Sequence, residues 1–304
     1  MTLDQLRIFV AVAERQHVTR AAKALGLTQS AVSAALSALQ LRHGIRLFDR
    51  VGRNIVLNEM GQSFLHEARG VLARAAAAEL ALADMGALRR GRLSIHASQT
   101  IASYWLPKRL VAFRTQHPGV ELDINIGNTR DAAEAVRDGG AELGFAEGEV
   151  VDAALRSESV GSDQIWLLVK PQHPWALRED LPASDLLTEP WVLREPGSGT
   201  RSTLEAALLG AGADPGRLRV NLTLPSNEAV LAAAEAGAGV TALSASVAAG
   251  ALARGALVRA RFRLPTRTFW LLRHKDRYRT RAGDAFVALA RAFKDTVSED
   301  AYVI

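Results

Sequence analysis

The tightest constraint on this chain is a corner near its start. Ala22, Gly26 and Val32 are four and six residues apart and sit between apolar-periodic runs. Leu3, Leu6, Ile8, Phe9, Val10 and Val12 form the buried stripe of a first helix ending near Glu14. Thr19 to Leu25 reads as a second helix, and Gln29 to Leu41 as a third, capped by the Thr28 hydroxyl. A small residue at a crossing, a glycine able to turn left-handed, and an aliphatic anchor facing back are what a steep helix-turn-helix corner requires. With Val32, Leu36 and Leu39 inward, Gln29, Ser30, Ser33 and Ser37 are left facing solvent or a partner.

Charge says what that partner is. The chain has 304 residues and a net charge of +5. Residues 1–58 alone carry that whole excess: Arg7, Arg15, Arg20, Lys23, Arg42, Arg46, Arg50 and Arg53 against Asp4, Glu14 and Asp49. A compact basic module on a neutral body suits a polyanion, because neutralised phosphates release counterions. A basic surface kept only for solubility is the alternative that charge leaves open.

The run from Arg20 through Ala21-Ala22-Lys23-Ala24-Leu25-Gly26-Leu27-Thr28-Gln29-Ser30-Ala31-Val32 to Ser33, then Leu36, Leu39 and Gly44-Ile45-Arg46-Leu47-Phe48-Asp49-Arg50, resembles the N-terminal winged helix-turn-helix of LysR-type transcriptional regulators. Leu57-Asn58-Glu59-Met60-Gly61 is similar to that family's wing exit. The sequence departs from the pattern at Gln40, where an acidic residue is common, and at Ala35, where glutamine is frequent. The resemblance implies double-stranded DNA as partner, with the third helix entering the major groove. Arg20, Thr28, Gln29, Ser30, Ser33, Ser37, Arg50 and Arg53 are the expected DNA-binding residues. Gln29 can pair with adenine, the serines can bond bases or phosphates, and the two wing arginines can reach phosphate or the minor groove. Ser33 and Ser37 as plain solvent-facing residues, and Arg50 in an ion pair near Asp49, are the alternatives.

From Met60 to Arg89 the apolar rhythm becomes Phe64, Ala68, Val71, Ala75, Ala78, Leu82 and Met85. This 4-3-4-3 spacing is a coiled-coil seam. It resembles the family's dimerisation helix, although an intramolecular partner for it is an alternative. Pairing two recognition helices is what reading half-sites about 34 Å apart demands.

Beyond Arg92, strands alternate with helices, which predicts parallel sheets covered by helices in two lobes. Strands are expected at Leu93–His96, Val120–Ile126, with Val120, Leu122, Ile124 and Ile126 on one face, and Leu143–Ala146. Helices are expected at Tyr104–Thr115 and Thr129–Arg137. Ile165–Val169 begins a second set, which runs through Trp191–Leu193, Val220–Leu222 and Gly239–Leu243. Thr268–Leu272 and a closing helix Arg281–Phe293 return to the first lobe. The uncharged stretch Ala236–Ala253 is too rich in Ala, Gly, Ser and Thr for a membrane span and reads as a strand leading into a helix.

The expected architecture is therefore α/β. A winged helix-turn-helix (1–58) and a long linker helix (59–90) precede a two-lobed effector domain (91–304) of the periplasmic-binding-protein-like kind that the resemblance implies. Lobe I takes about 91–162 and 268–304, and lobe II about 163–267.

In open α/β sheets, ligands collect beyond the carboxyl ends of strands, where helix N-termini offer free N–H groups. Ser98, Gln99, Thr100, Asn128, Thr129, Glu147, Ser198, Thr200, Arg201 and Asn227 fall at such places. By resemblance, Ser98 and Thr100 occupy the family's effector-contacting loop. Pro196 to Arg201 looks like the second-lobe loop of the branch that includes regulators of sulfur assimilation and carbon fixation. The expected effector is a small anion or carboxylate with Arg201 as charge partner, against which Glu147 and Glu149 stand. Each Ser or Thr as a helix cap alone is the alternative.

Enzyme chemistry finds no support. There is no cysteine, and the seven histidines lack metal-ligand spacing. His66-Glu67-Ala68-Arg69-Gly70 lacks the second histidine of a zinc-protease motif. Gly197-Ser198-Gly199 lacks the spacing of a nucleophile elbow, and Gly210-Ala211-Gly212 and Gly237-Ala238-Gly239 complete no dinucleotide fingerprint. No cofactor, metal or membrane is expected. Met1 to Val12 has no secretory core, so the location expected is the cytoplasm, at the nucleoid. The resemblance further implies a homodimer or homotetramer, with RNA polymerase as another partner. A solute-binding module and a non-specific nucleoid protein are the competing readings. The basic head argues against the first and the two-lobed body against the second.

Overall fold

The computed structural model describes residues 1–51, 54–84 and 91–293. The chain divides into two compact units, residues 1–85 with Asp138–Gly140, and the remainder.

The first unit opens with α1 (Leu3–Arg15). A capping box starts it: the Thr2 hydroxyl accepts from Gln5 N at 3.2 Å and Gln5 Oε1 accepts from Thr2 N at 3.0 Å. Helices α2 (Val18–Leu25) and α3 (Gln29–His43) follow, joined through Gly26 at φ 65°, the left-handed corner the spacing predicts. Thr28 caps α3 by accepting from Ala31 N at 3.2 Å. Leu6, Phe9 and Val12 of α1 pack on Ala21, Ala22, Val32, Leu36 and Leu39 in one aliphatic core. Leu3, expected in that stripe, is exposed, because it stands in the helix's first turn beyond the core's edge.

Strands β1 (Phe48–Val51) and β2 (Asn54–Leu57) pair antiparallel, with Arg50 opposite Ile55, and form the wing. Helix α4 (Glu59–Asp84) follows Asn58, whose Oδ1 accepts from Gly61 N at 2.9 Å. A Cβ on Gly61 would lie 2.0 Å from the Leu47 carbonyl oxygen, so only glycine lets α4 start against the head.

The α4 seam divides. Phe64 stacks on Phe9 with ring centroids 4.9 Å apart, and Ala68 is buried in the head's own core. Both were expected in a dimer seam. Contact with α1 takes them instead, since α4 begins on the head and its first three turns are the last wall of that core. Val71, Ala78 and Leu82 are exposed and Ala75 is half-buried. Met85 lies outside the described residues, as does Arg53 in the wing.

The second unit begins with β3 (Gly91–Ser98), β4 (Val120–Gly127) and β5 (Leu143–Glu147), all parallel in the order β4-β3-β5. Between them run α5 (Leu106–Gln116) and α6 (Thr129–Asp138). A wider π-helical turn, Ile101–Trp105, precedes α5, so Tyr104 lies in that turn and not in the expected helix. Ile126 is exposed where the pattern placed it on a buried face, because β4 is the edge strand and its last residues outrun the covering helices.

Two strands then overturn the expectation of purely parallel sheets. β6 (Leu155–Val169) and β11 (Thr266–His274) are long and pair antiparallel, and β11 also pairs antiparallel with β5. The first half of β6 belongs to the first lobe's sheet. Its second half pairs antiparallel with β9 (Thr241–Ser244) and β10 (Val258–Arg259) in the second lobe. Alternation with helices cannot reveal a strand that serves two sheets. The second lobe is completed by the short α7 (Ala183–Leu186), β7 (Pro190–Arg194), α8 (Gly199–Gly210), β8 (Arg219–Leu224), α9 (Asn227–Glu235) and α10 (Ala245–Ala253), with β7 and β8 parallel. Helix α11 (Arg281–Ala292) closes on the first lobe, where Phe286 meets Phe113 and Phe145. Each lobe has its own core, one around Leu93, Ile95 and Phe145, the other around Leu167, Trp191 and Leu204. No single described helix is long and apolar enough to cross a membrane.

Candidate functional site

Helix α3 turns Val32, Leu36 and Leu39 into the head and so presents Gln29, Ser30 and Ser37 outward, all exposed, with Ser33 half-buried. Ala31, Ala34 and Ala38 share the exposed side, so the rod is slim where it is polar. A B-form major groove about 12 Å wide admits such a helix. Arg20 on α2 and Arg50 on β1 are exposed beside it, and no described acid pairs with Arg50, contrary to the ion-pair alternative. The Thr28 hydroxyl is engaged locally, capping α3 and lying 3.1 Å from Ser30 Oγ. Gln40 is structural: its Oε1 accepts from Leu47 N at 2.8 Å, fastening the end of α3 to the wing. An acidic side chain could accept the same bond, so the departure at residue 40 keeps the chemistry.

The second cluster lies between the lobes, at the carboxyl ends of β3, β5 and β7 and the N-termini of α6, α8 and α9. The Thr129 hydroxyl donates to the Glu147 carbonyl at 2.9 Å and accepts from Glu147 N at 3.2 Å. Glu147 Oε2 accepts from Arg267 Nη1 at 3.1 Å, and the same nitrogen lies 2.9 Å from the Thr200 hydroxyl. Arg267 also grips Asp163, through Nε at 2.8 Å and Nη2 at 2.5 Å. Gly199, at the start of α8, passes so close that a Cβ would sit 2.4 Å from the Glu147 carbonyl oxygen. Alongside, Asn128 Nδ2 donates to Glu195 Oε1 at 3.1 Å, and Arg194 donates to both oxygens of Glu195 and to Asn227 Oδ1. Asn227 then reaches the first lobe, donating from N to Gln99 Oε1 at 2.7 Å and from Nδ2 to the Thr100 hydroxyl at 3.1 Å.

Seven of the ten residues singled out from sequence thus bond within these two neighbouring groups, and Ser98 and Ser198 flank them. Arg201 is turned to its own helix, donating to Glu205 Oε1 at 2.7 Å and to the Arg194 carbonyl at 3.2 Å. The cations that the network uses are Arg194 and Arg267, which sequence reasoning missed. The available signal for Arg267 was a charge on the inward phase of β11, two residues before buried Phe269.

Burial pushes the Glu195 carboxyl up, but the hydrogen bonds and charge of Arg194 with the Asn128 amide outweigh it, and the group ends below the usual carboxylate range. Burial likewise works against the Arg267 cation, and the charges of Glu147 and Asp163 more than restore it. Every arginine in this network already has a carboxylate. Within this cluster two buried oxygens have no partner among the described residues: Ser98 Oγ and Glu147 Oε1. Buried polar atoms are almost always satisfied, so this pair at strand ends keeps unused hydrogen-bonding capacity. Among the described residues no cluster could hold a metal ion.

Comparison with known proteins matches both parts of the chain. Residues 3–62 match the family described as bacterial regulatory helix-turn-helix protein, lysR family, and residues 86–294 match the LysR substrate binding domain. The chain is 34% identical over 285 residues to the "Uncharacterized HTH-type transcriptional regulator YeiE" of Escherichia coli (strain K12), covering 93% of this chain and 94% of that protein. It is 31% identical over 290 residues to a "Probable RuBisCO transcriptional regulator" of Trichormus variabilis, covering 94% and 86%, in keeping with the carbon-fixation branch suggested by Pro196–Arg201. The full-length CbnR crystallised with its target DNA shares the fold, with a TM-score of 0.66 at 23% identity over 96% of this chain and 99% of that one. With a DNA-reading head and an effector-binding body both matched, the chain belongs to the LysR family of transcriptional regulators.

Proposed function

We propose that Gln29, Ser30, Ser33 and Ser37 read base edges in the major groove, with Arg20, Arg50 and Arg53 on phosphates or in the minor groove and Thr28 ordering the first turn of the reading helix. The observation that carries this is the exposed polar side of α3, backed by a fully apolar one. Residues 1–58 act as the reading head, 59–90 as the linker and 91–304 as the effector domain. Val71, Ala75, Ala78, Leu82 and Met85 serve as the contact between two copies, in a homodimer that pairs into a homotetramer in the cytoplasm and meets RNA polymerase at the promoter.

The effector sits in the inter-lobe network. With the arginines there already paired, its anionic end is met by the hydroxyls of Ser98, Thr100, Ser198 and Thr200 and by helix N-termini, and a donor on the same molecule satisfies Glu147 Oε1. Binding changes the angle between lobes and so shifts the assembly between DNA-bound geometries through differential affinity.

The test is salt-titrated anisotropy with the chain's own promoter DNA and a scrambled duplex. Specific binding that Gln29→Ala weakens at matching sites supports the reading, and equal affinity for both duplexes refutes it. For the effector, a metabolite panel is screened by thermal shift. A hit whose stabilisation survives both Ser98→Ala and Glu147→Gln unchanged refutes the site.

A further inference from the structure

After β10 the chain turns, with Phe262 N donating to the Ala260 carbonyl at 2.9 Å, and its side chains alternate in burial. Ala260 and Leu264 are buried and Phe262 is half-buried, while Arg259, Arg261 and Arg263 stand exposed on the other side. The three arginines fall within five residues of one another. They line a groove of 1380 Å³ that runs between the lobes beside β6 and β11. Trp166, Tyr104 and Phe262 supply its apolar lining, and Ala245 and Ser246 bring the N-terminus of α10 to it.

Two of the three arginines here differ from those of the effector network in lacking an acid among the described residues. Arg261 reaches Glu179 at 3.3 Å in a fully solvated pair. Arg259 and Arg263 have no ion pair or hydrogen bond among the described residues. The Arg259 guanidinium instead lies 5.1 Å from the centroid of Trp166. Burial lowers its affinity for the proton, and no acid offsets that loss. Of the acids facing the groove, Asp163 is held by Arg267, which leaves Asp180. An exposed guanidinium with no carboxylate partner is free to bond an anion.

We propose that this groove is a second ligand site, adjoining the inter-lobe network at Thr100 and Asp163, for a small organic oxyanion. The ligand's carboxylate or phosphate head bonds Arg259 and Arg263, and its flat apolar body lies against Tyr104 and Phe262. Because the groove takes Thr100, Tyr104 and Trp105 from the first lobe and Trp166 and Arg259 from the second, a molecule there biases the same inter-lobe angle as the effector, and the two ligands couple reciprocally.

The experiment is calorimetric titration of the full chain with adenosine 5′-monophosphate, benzoate and inorganic phosphate at constant ionic strength. A ring-bearing probe is expected to bind at least about tenfold more tightly than phosphate. Arg259→Gln weakens it about tenfold or more, as loss of a charge-assisted bond does, and Arg263→Gln weakens it in the same direction. Arg217→Gln, which removes one exposed charge outside the groove, leaves it unchanged. Adenosine monophosphate above benzoate assigns a phosphate head, and the reverse a carboxylate head. No binding by either ring-bearing probe, equal binding by phosphate, or an Arg259→Gln effect no larger than that of Arg217→Gln overturns the proposal. All three arginines are exposed, so a melting curve of each variant is expected to match the parent.

Discussion

Arg267→Met is the most informative perturbation of the effector domain. The Arg267 side chain is 0% exposed, and the side chains of its partners Glu147 and Asp163 are 3% and 8% exposed. Methionine fills much of the same volume but leaves two buried carboxylates facing a site with no cation. Breaking a buried pair by removing one partner costs about 3–5 kcal/mol. In a unit of roughly 200 residues that lowers Tm by about 6–20 °C. The loss depends on pH. In the variant the stranded carboxyls take folded-state pKa values above their unfolded ones, so the destabilisation grows as pH rises and shrinks as one of them takes a proton in mild acid. Thermal melts of the full chain at pH 8 and pH 5.5 therefore show the larger drop at pH 8. Adding Glu147→Gln and Asp163→Asn to Arg267→Met recovers most of it, since no unpaired charge is then buried. A drop under about 2 °C at pH 8, or the same drop at both pH values, would refute the reading that Arg267 neutralises two buried carboxylates.

Three other outcomes follow from particular contacts. Gly199→Ala puts a Cβ 2.4 Å from the Glu147 carbonyl oxygen. It forces α8 away from the first lobe by about 1 Å at a cost of about 1–3 kcal/mol, read as a lower Tm and weaker response to any effector found. Gln40→Leu loses the acceptor for Leu47 N and about 1 kcal/mol, while Gln40→Glu keeps both stability and DNA affinity, as urea titration and anisotropy would show. Glu195 has its folded-state pKa below its unfolded value, so its contribution is present above about pH 4.3 and is lost as pH falls through the folded value. Arg194→Met removes that acid dependence, measurable by comparing the two proteins' melts between pH 6 and pH 3.

What could be read from the sequence was local or periodic. The corner at Gly26 was legible because a left-handed turn flanked by a small residue and an aliphatic anchor is specified within a dozen residues. The hydroxyl and amide residues at strand ends were legible because an α/β chain must place its helix N-termini there. The partner of two linker residues was not legible. Phe64 and Ala68 carry a seam spacing that suits a second copy and α1 equally well, and only the close start of α4 over Gly61 decides for α1.

The sequence by itself determined the reading head, the linker's periodicity and which strand ends bear polar groups, because each depends on neighbours a few residues away. Tertiary structure alone decided which arginines meet which acids. Arg267 and Glu147 are 120 residues apart in the chain, and only the antiparallel pairing of β11 with β5 brings them to one buried point. Charge pairing across such separations follows from sheet register, which no local pattern encodes.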